Sequence, residues 1–373
     1  MSQQLHIVSF NVPFPADYGG VIDVFYRLRM LSELGVKIHL HCFDYGRGQA
    51  QELERYCASV HYYRRYTGLR SALGRRPYIV RSRDNSELIA NLQADDAPIL
   101  LEGLHCCSVL ETLAGRSGRR IFVRAHNVEH DYYSGLARAE RMPWKWLYFR
   151  SEARKLYRYE PVLLRADAVF AISAADASHF KQIGCPRVVL MPASHPFNEV
   201  ISQTGKGTFA LYHADLSVAE NVQAVSFLAT QLFSRSSHRF VVAGRNPSCR
   251  LKKLLSALPN VRLVANPDEA TMQGLISDAQ VIMLVTNQPT GLKLKLLNSL
   301  YSGRHCLVNS LMVAGTTLTP LCHVADTPEM LRQQLDTLMK QPFTTEEVQR
   351  RRALLCRDYS NQTSVGKLLE ELQ

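Results

Sequence analysis

The chain lacks the short motifs that most often mark catalysis. It has no H-E-x-x-H, no G-x-S-x-G and no G-x-x-x-x-G-K-[ST], which removes metalloprotease, serine hydrolase and P-loop readings. No D-x-D pair is present to hold a metal against a diphosphate, so no metal site is expected. Nine cysteines are scattered, with only Cys106 and Cys107 close together and no C-x-x-C pair. An odd count of that kind argues against both a disulfide framework and a structural zinc site, and a reducing cytoplasm is the expected compartment. No apolar run approaches the roughly 18–20 residues that span a bilayer. The opening strand-like run Leu5–Phe10 carries no basic leader or cleavage site, so no signal peptide is expected.

Acidic residues are also scarce: 33 against 44 lysines and arginines, a net charge of +11. From Arg55 to Arg83 there are eight arginines and no acid, interleaved with Tyr62, Tyr63, Tyr66 and Tyr78. A second basic and aromatic stretch runs from Arg138 to Arg165 and holds Trp144, Trp146, Tyr148, Phe149, Tyr157 and Tyr159. Such stretches suit anionic lipid head groups, nucleic acid or an anionic acceptor. They equally suit a solvated face whose arginine stems cover apolar surface. The charge asymmetry favours an anionic surface.

What is present is a long α/β pattern. In 373 residues there is room for two domains, each with its own core. After Leu5–Phe10 comes a Pro- and Gly-containing loop, then Val21, Val24, Phe25, Leu28 and Leu31 at helical spacing, ended by Gly35. Val36, Ile38, Leu40 and Cys42 alternate as a second strand, completing a βαβ unit and implying a parallel sheet. Composition shifts between Pro192 and Gly207, the best candidate for a linker, and the alternation then restarts. The expected architecture is two doubly wound Rossmann-like domains facing each other across a cleft, with ligands at the carboxyl ends of the strands. The expected boundaries are 1–195, 196–345, and a C-terminal helical segment 346–373 packing back towards the N-terminal domain.

Four clusters fall directly after strands or open a helix. Gly19 and Gly20 stand where a backbone must approach a ligand or turn sharply. The polar run Arg124-Ala125-His126-Asn127-Val128-Glu129-His130 follows the strand Ile121–Val123, and Glu102 ends another strand, where it faces the cleft or serves as a cap. In the second half, His213 lies at the end of Phe209–Tyr212, and Arg245 follows Phe240–Ala243. The stretch Thr290–Asn309, TGLKLKLLNSLYSGRHCLVN, reads as a Gly-led turn at Gly291, a helix with Lys293 and Lys295 near its start, then a buried strand. A helix N-terminus with added lysines makes a phosphate site; two residues apart, the lysines point in different directions, so one of them faces the phosphates.

The series R-x-H-N-V-E at Arg124–Glu129, Ser151-Glu152-Ala153-Arg154-Lys155-Leu156, Tyr159-Glu160, Ala171-Ile172-Ser173 with Asp176, and Thr290–Asn309 resembles the family 4 glycosyltransferases of the GT-B fold. The resemblance runs from Phe10 to about Val308. It departs where the family has two glutamates, since Thr290 and Asn298 stand there, and where it has Gly near Ala214 and basic residues downstream, since Glu220 stands there. The resemblance implies a retaining, metal-independent transferase that moves a sugar from a nucleotide-sugar donor to a glycan or lipid-linked acceptor. Such an enzyme needs no cofactor and no nucleic acid partner; the cysteine usage places it in the cytoplasm, and the basic stretches add a contact with the inner face of the membrane as one option. By the same resemblance His126 contacts the sugar, Gly19 and Gly20 the diphosphate, Arg245 and Lys293 or Lys295 the phosphates, and Asn298 the ribose. Lys295 joins His126 as the catalytic pair, and Glu102, Arg124, Asn127, His213 and Thr290 complete the cleft candidates. The rivals are a non-hydrolysing nucleotide-sugar epimerase and a non-catalytic GT-B protein that binds a glycan or partner.

Overall fold

A computed structural model of the chain describes residues 3–68, 71, 74–115, 118–140, 142–287 and 293–372. Two compact units result, one from residues 3–196 and 359–372, the other from 197–287 and 293–358.

The first unit carries seven parallel strands: β1 (Gln4–Ser9), β2 (Lys37–Asp44), β3 (Ser59–Arg64), β4 (Ile99–Glu102), β5 (Ile121–Ala125), β6 (Ala168–Ala171) and β7 (Val188–Leu190). They lie in the order β3-β2-β1-β4-β5-β6-β7. Strands β4, β5 and β6 are buried throughout, as expected of parallel strands covered on both faces, which is why they read as unbroken apolar runs. Helix α1 (Gly19–Glu33) buries the expected stripe of Val21, Val24, Phe25, Leu28 and Leu31, but it also buries Asp23 and Arg27. Strand β3 lies inside the arginine-rich run and was not expected there. It is an edge strand, mostly half-buried, so its apolar signal is diluted by the charges beside it.

Two histidines sit inside this sheet. His6 Nδ1 is 2.9 Å from His41 Nε2, His41 Nδ1 is 2.8 Å from the Tyr63 hydroxyl, and His6 Nε2 is 3.0 Å from Asp95.

The second unit holds β8 (Ala210–Asp215), β9 (Phe240–Arg245), β10 (Val261–Ala265), β11 (Val281–Leu284), β12 (His305–Val308) and β13 (His323–Val324), ordered β10-β9-β8-β11-β12-β13 and again parallel. Chain order therefore reverses between β1 and β4 and between β8 and β11. Those are the switch points where doubly wound sheets bind ligands.

The expected C-terminal segment 346–373 is divided between the units. Helix Thr345–Tyr359 is held in the second unit by buried Arg351, which donates to the carbonyls of Leu300, Gly303 and Arg304. Helix Asn361–Leu372 belongs to the first unit, where it packs on α1 and adds Val365, Leu368 and Leu372 to the core. Its first residue pairs reciprocally with His195: the His195 N–H donates to Asn361 Oδ1 at 3.0 Å, and Asn361 Nδ2 donates to the His195 carbonyl at 2.7 Å.

Candidate active site

At the first switch point five charged or ionisable side chains are buried together. Arg27 Nη2 donates to both oxygens of Glu102 at 2.8 Å, and Arg27 Nη1 donates to Asp23 Oδ1 at 3.1 Å. Arg124 Nε donates to Asp23 Oδ2 at 3.0 Å, and its Nη1 donates to the Met191 carbonyl. The backbone N–H of Ser194 adds a further bond to Asp23 at 2.7 Å. Two carboxylates face two guanidinium groups, so the cluster balances in charge, as a buried ionic network must. Burial alone raises the Asp23 pKa, but Arg124 and Arg27 outweigh it and hold the carboxyl well below its usual range.

His126 completes the cluster. Its Nε2 lies 2.9 Å from Glu102 Oε2 and its Nδ1 lies 3.7 Å from Asp23 Oδ2. The Phe10 ring meets it edge-on, with centroids 5.3 Å apart. An ionised Glu102 only accepts, so Nε2 carries the proton and the imidazole is oriented before any ligand arrives. Glu102 is therefore no cap: it is the acid that holds both Arg27 and His126. Asp23 and Arg27 escaped sequence reasoning because α1 reads as an ordinary amphipathic helix. The available signal was an Asp and an Arg at i,i+4 beside its apolar stripe.

Gly20 owes its identity to close approach, with no positive φ recorded there. A Cβ there would stand 2.7 Å from Phe10 Cζ, so glycine lets the helix start against the ring that backs His126. Gly19 is exposed at the first helical turn. Asn127 is half-buried and its side chain bonds Glu129, whose pKa is pushed up to about 8, by burial above all and against the pull of Arg83. Nearby His105 is driven the other way, well below its ordinary value, by burial and then by Arg83.

At the second switch point Lys295 is the central cation. It lies in the first turn of helix Leu294–Ser302, donates to Asn221 Oδ1 at 3.0 Å, and stands 5.4 Å over the Tyr212 ring. Its pKa is lowered to about 8 by burial, a shift that Glu220 opposes and Lys293 reinforces. Glu220 accepts a bond from the Thr286 hydroxyl. His213 is buried, bonds Ser299 Oγ at 2.9 Å, and has its pKa lowered to about 3 by burial and by Lys295. Lys293 is the N-cap of the helix, and Asn298 accepts a 3.4 Å bond from Ser302 one turn on. Arg245 is exposed at the carboxyl end of β9, 3.9 Å from Asp215. Thr290 and Gly291 lie outside the described residues.

The basic stretches divide by role. Arg83 is buried and donates to the carbonyls of Phe10 and Ile79, Arg65 lies over the Tyr45 ring, and Arg76 bridges Asp84 and Glu111. Helix Pro143–Tyr159 is different: Trp144, Leu147 and Tyr157 are each more than 60% exposed, at 67%, 62% and 65%. A cavity of about 920 Å³ beside it is lined by Arg75, Arg76, Arg150, Arg154, Lys155 and Arg158 among others. Among the described residues no helix is long and apolar enough to cross a membrane.

No family model matches the chain. A Klebsiella pneumoniae protein described as an uncharacterized 44.6 kDa protein in the cps region is 24% identical over 336 residues, 83% of this chain and 84% of that one. HepE from Anabaena, solved with UDP and glucose, superposes with a TM-score of 0.67 at 11% identity, covering 100% of this chain and 99% of that one. A point variant of S. aureus TarM, solved with fondaparinux, alpha-GlcNAc-glycerol and UDP, gives 0.68 at 9% identity, with full coverage of both chains. A glycosyltransferase from Rickettsia africae gives 0.65 at 12%, covering 100% and 98%. At these identities the likeness is one of fold, and the fold is GT-B, two Rossmann-like halves built on parallel sheets, as expected from the sequence.

Proposed function

We propose that this chain is a glycosyltransferase that moves a sugar from a nucleotide-sugar donor to a glycan or lipid-linked acceptor, with retention and without a metal at the diphosphate. The observation that carries this reading is Lys295, a half-buried ammonium in the first turn of a helix at a sheet switch point. The leaving diphosphate builds negative charge as the glycosidic bond to it breaks. A preorganised cation and free helix N–H groups stabilise that charge in a site of low dielectric. Burial lowers the Lys295 pKa by taking the ammonium out of water, and an arriving diphosphate restores what burial removed. Lys293, Arg245 and Asn298 are the further donor contacts of this reading, and Gly291 and Thr290 join them on sequence grounds alone.

His126 serves the transferred sugar. Its ring is fixed by Glu102 and backed by Phe10, so it presents a set hydrogen-bonding edge without reorganising during the reaction. Gly19 and Gly20 let the backbone come close to an anionic ligand at the start of α1. HepE and the TarM variant were solved with UDP, which supports UDP-sugars as the first donors to try. The Klebsiella relative's cps region supports polysaccharide assembly as the setting. The exposed aromatic and basic side chains of helix Pro143–Tyr159 support a peripheral contact with an anionic membrane surface, where lipid-linked acceptors reside.

The departure at Asn298, where the resembled family has a carboxylate, keeps a non-catalytic glycan-binding reading in play. One experiment separates the two. The protein is incubated with UDP-, GDP- and ADP-sugars and a broad acceptor panel, with and without a strong chelator. Acceptor-dependent release of nucleotide that survives chelation is expected. Donor binding without turnover across the panel would favour the non-catalytic reading, and a loss restored by magnesium or manganese but not by zinc would overturn metal independence at the diphosphate.

A further inference from the structure

One cluster in the first unit has no part in the chemistry above. His130 on helix Glu129–Ala139, Glu160 just beyond helix Pro143–Tyr159, and His179 on helix Ala174–Gln182 converge with their ligand atoms all within 4.8 Å of one another. His179 Nε2 lies 2.8 Å from Glu160 Oε2, and His130 Nδ1 lies 3.3 Å from Glu160 Oε1. That His130 nitrogen is buried and makes no hydrogen bond of good geometry. The Asp131 carboxylate stands 3.6 Å from the opposite ring nitrogen, Nε2.

We propose that His130, Glu160 and His179 bind a divalent transition-metal ion, zinc by their donor chemistry, as a structural clamp. Two neutral imidazoles and one carboxylate are a borderline nitrogen and oxygen set that suits zinc. Ligands at zinc distances on a tetrahedron lie about 3.3 Å apart; His130 Nδ1 stands at that distance from Glu160 Oε1, while His179 Nε2 is closer and on Oε2, so the carboxylate turns to offer one oxygen between them. Asp131 stands on the far side of the His130 ring, 3.6 Å from Nε2 and beyond hydrogen-bond distance, so it adds negative charge near the ring without holding its N–H. The charged groups that act on His130 are Glu160 and Asp131, both acids, so the local field favours a cation. A cavity of about 810 Å³, lined by His130 and Asp131 and also by Arg138, Arg150, Arg154 and Arg158, gives water and metal access; none of these arginines is among the charges that act on His130. The three ligands come from three separate helical segments. The ion ties the end of the aromatic and basic helix Pro143–Tyr159 to the two helices beside it. Sequence spacing hides the site, since the ligands are tens of residues apart.

A second His–His–Glu cluster, His305, His323 and Glu347 in the second unit, is the internal comparison. It is the poorer site, because the Arg351 and Arg304 guanidinium groups act directly on His305 and oppose a cation there.

The test uses the full chain, stripped with chelator and titrated with zinc by calorimetry. One equivalent should bind and raise the melting temperature by several degrees, and cobalt(II) in its place should give the visible absorption of a tetrahedral site. His130→Ala and His179→Gln should each weaken zinc binding at least tenfold, while His305→Ala should not. Should one ligand variant fail to fold, the other carries the comparison. No zinc uptake, or one equivalent that both variants leave unchanged, overturns the assignment.

Discussion

Replacing Glu102 by Gln would test whether the buried network is what holds the first unit's switch point together. Glu102 accepts two 2.8 Å bonds from Arg27 and one 2.9 Å contact from His126, and its side chain and that of Arg27 are 0% and 1% exposed. Gln keeps the shape and removes one negative charge, so two guanidinium groups then face a single carboxylate, Asp23. Breaking a buried pair from one side costs about 3–5 kcal/mol, because the remaining charge is left uncompensated. Local opening at β4 and β5 is therefore easier by that amount, which predicts amide exchange faster by about a hundredfold to a few thousandfold. Hydrogen-exchange mass spectrometry on peptides covering Ile99–Glu102 and Ile121–Ala125 reads this directly. Peptides from β8 and β11, in the other unit, serve as the unchanged reference. Arg27→Met combined with Glu102→Leu removes both charges and should recover most of the protection. Exchange in the Gln variant within about threefold of the parent would refute the reasoning.

Four further outcomes are expected. Affinity for UDP, measured by calorimetry, should fall as pH rises through about 8, where Lys295 loses its proton; Lys295→Ala should flatten that profile and lower turnover by ~10²-fold or more. Acid should destabilise the protein from pH 6.5 downward, because burial lowers the folded-state pKa of His41 to about 2 and of His213 to about 3, so the unfolded chain binds more protons there. Each such histidine costs about 1.4 kcal/mol at pH 5.5, and melts at pH 7.5 and 5.5 that coincide would contradict it. Gly20→Ala forces Cβ against the Phe10 ring and should cost ~1–3 kcal/mol in overpacking, more than the ~1 kcal/mol of helix propensity it gains, seen as a lower urea midpoint. Trp144→Ala with Leu147→Ala should abolish binding to vesicles containing acidic lipid, and reversal of Arg150 and Arg154 should remove its dependence on that lipid; equal binding of all forms to neutral vesicles would count against a membrane face.

How much of this was legible in the sequence depended on whether burial leaves a periodic trace. The central strands did, because both their faces are covered and apolar residues run on without a break. The two switch points were legible as polar clusters after strands, which placed His126 and Glu102 in one half and His213 and Lys295 in the other. Strand β3 was hidden because an edge strand buries little, and its two tyrosines and Arg64 read as surface beside the flanking arginines. Asp23 and Arg27 were hidden for the opposite reason. A charged pair inside a helix looks solvated until its partners, Glu102 and Arg124, are known to come from strands a long way along the chain. Spacing alone did not tell Lys293 from Lys295: Lys293 is the N-cap residue, without a side-chain capping bond, whereas Lys295 turns onto Asn221 and Tyr212.

Val365, Leu368 and Leu372 sit in the core of a unit most of whose residues were made by Pro196. On a ribosome adding 5–20 residues per second, the first unit waits roughly ten to thirty seconds for that helix, with one flank of α1 uncovered. The second unit, whose chain is nearly continuous, can close in the meantime. A stop codon in place of Asn361 would thus spare the Lys295 region and strike the half of the protein made first, leaving His195 without its Asn361 partner and an apolar groove for chaperones to find.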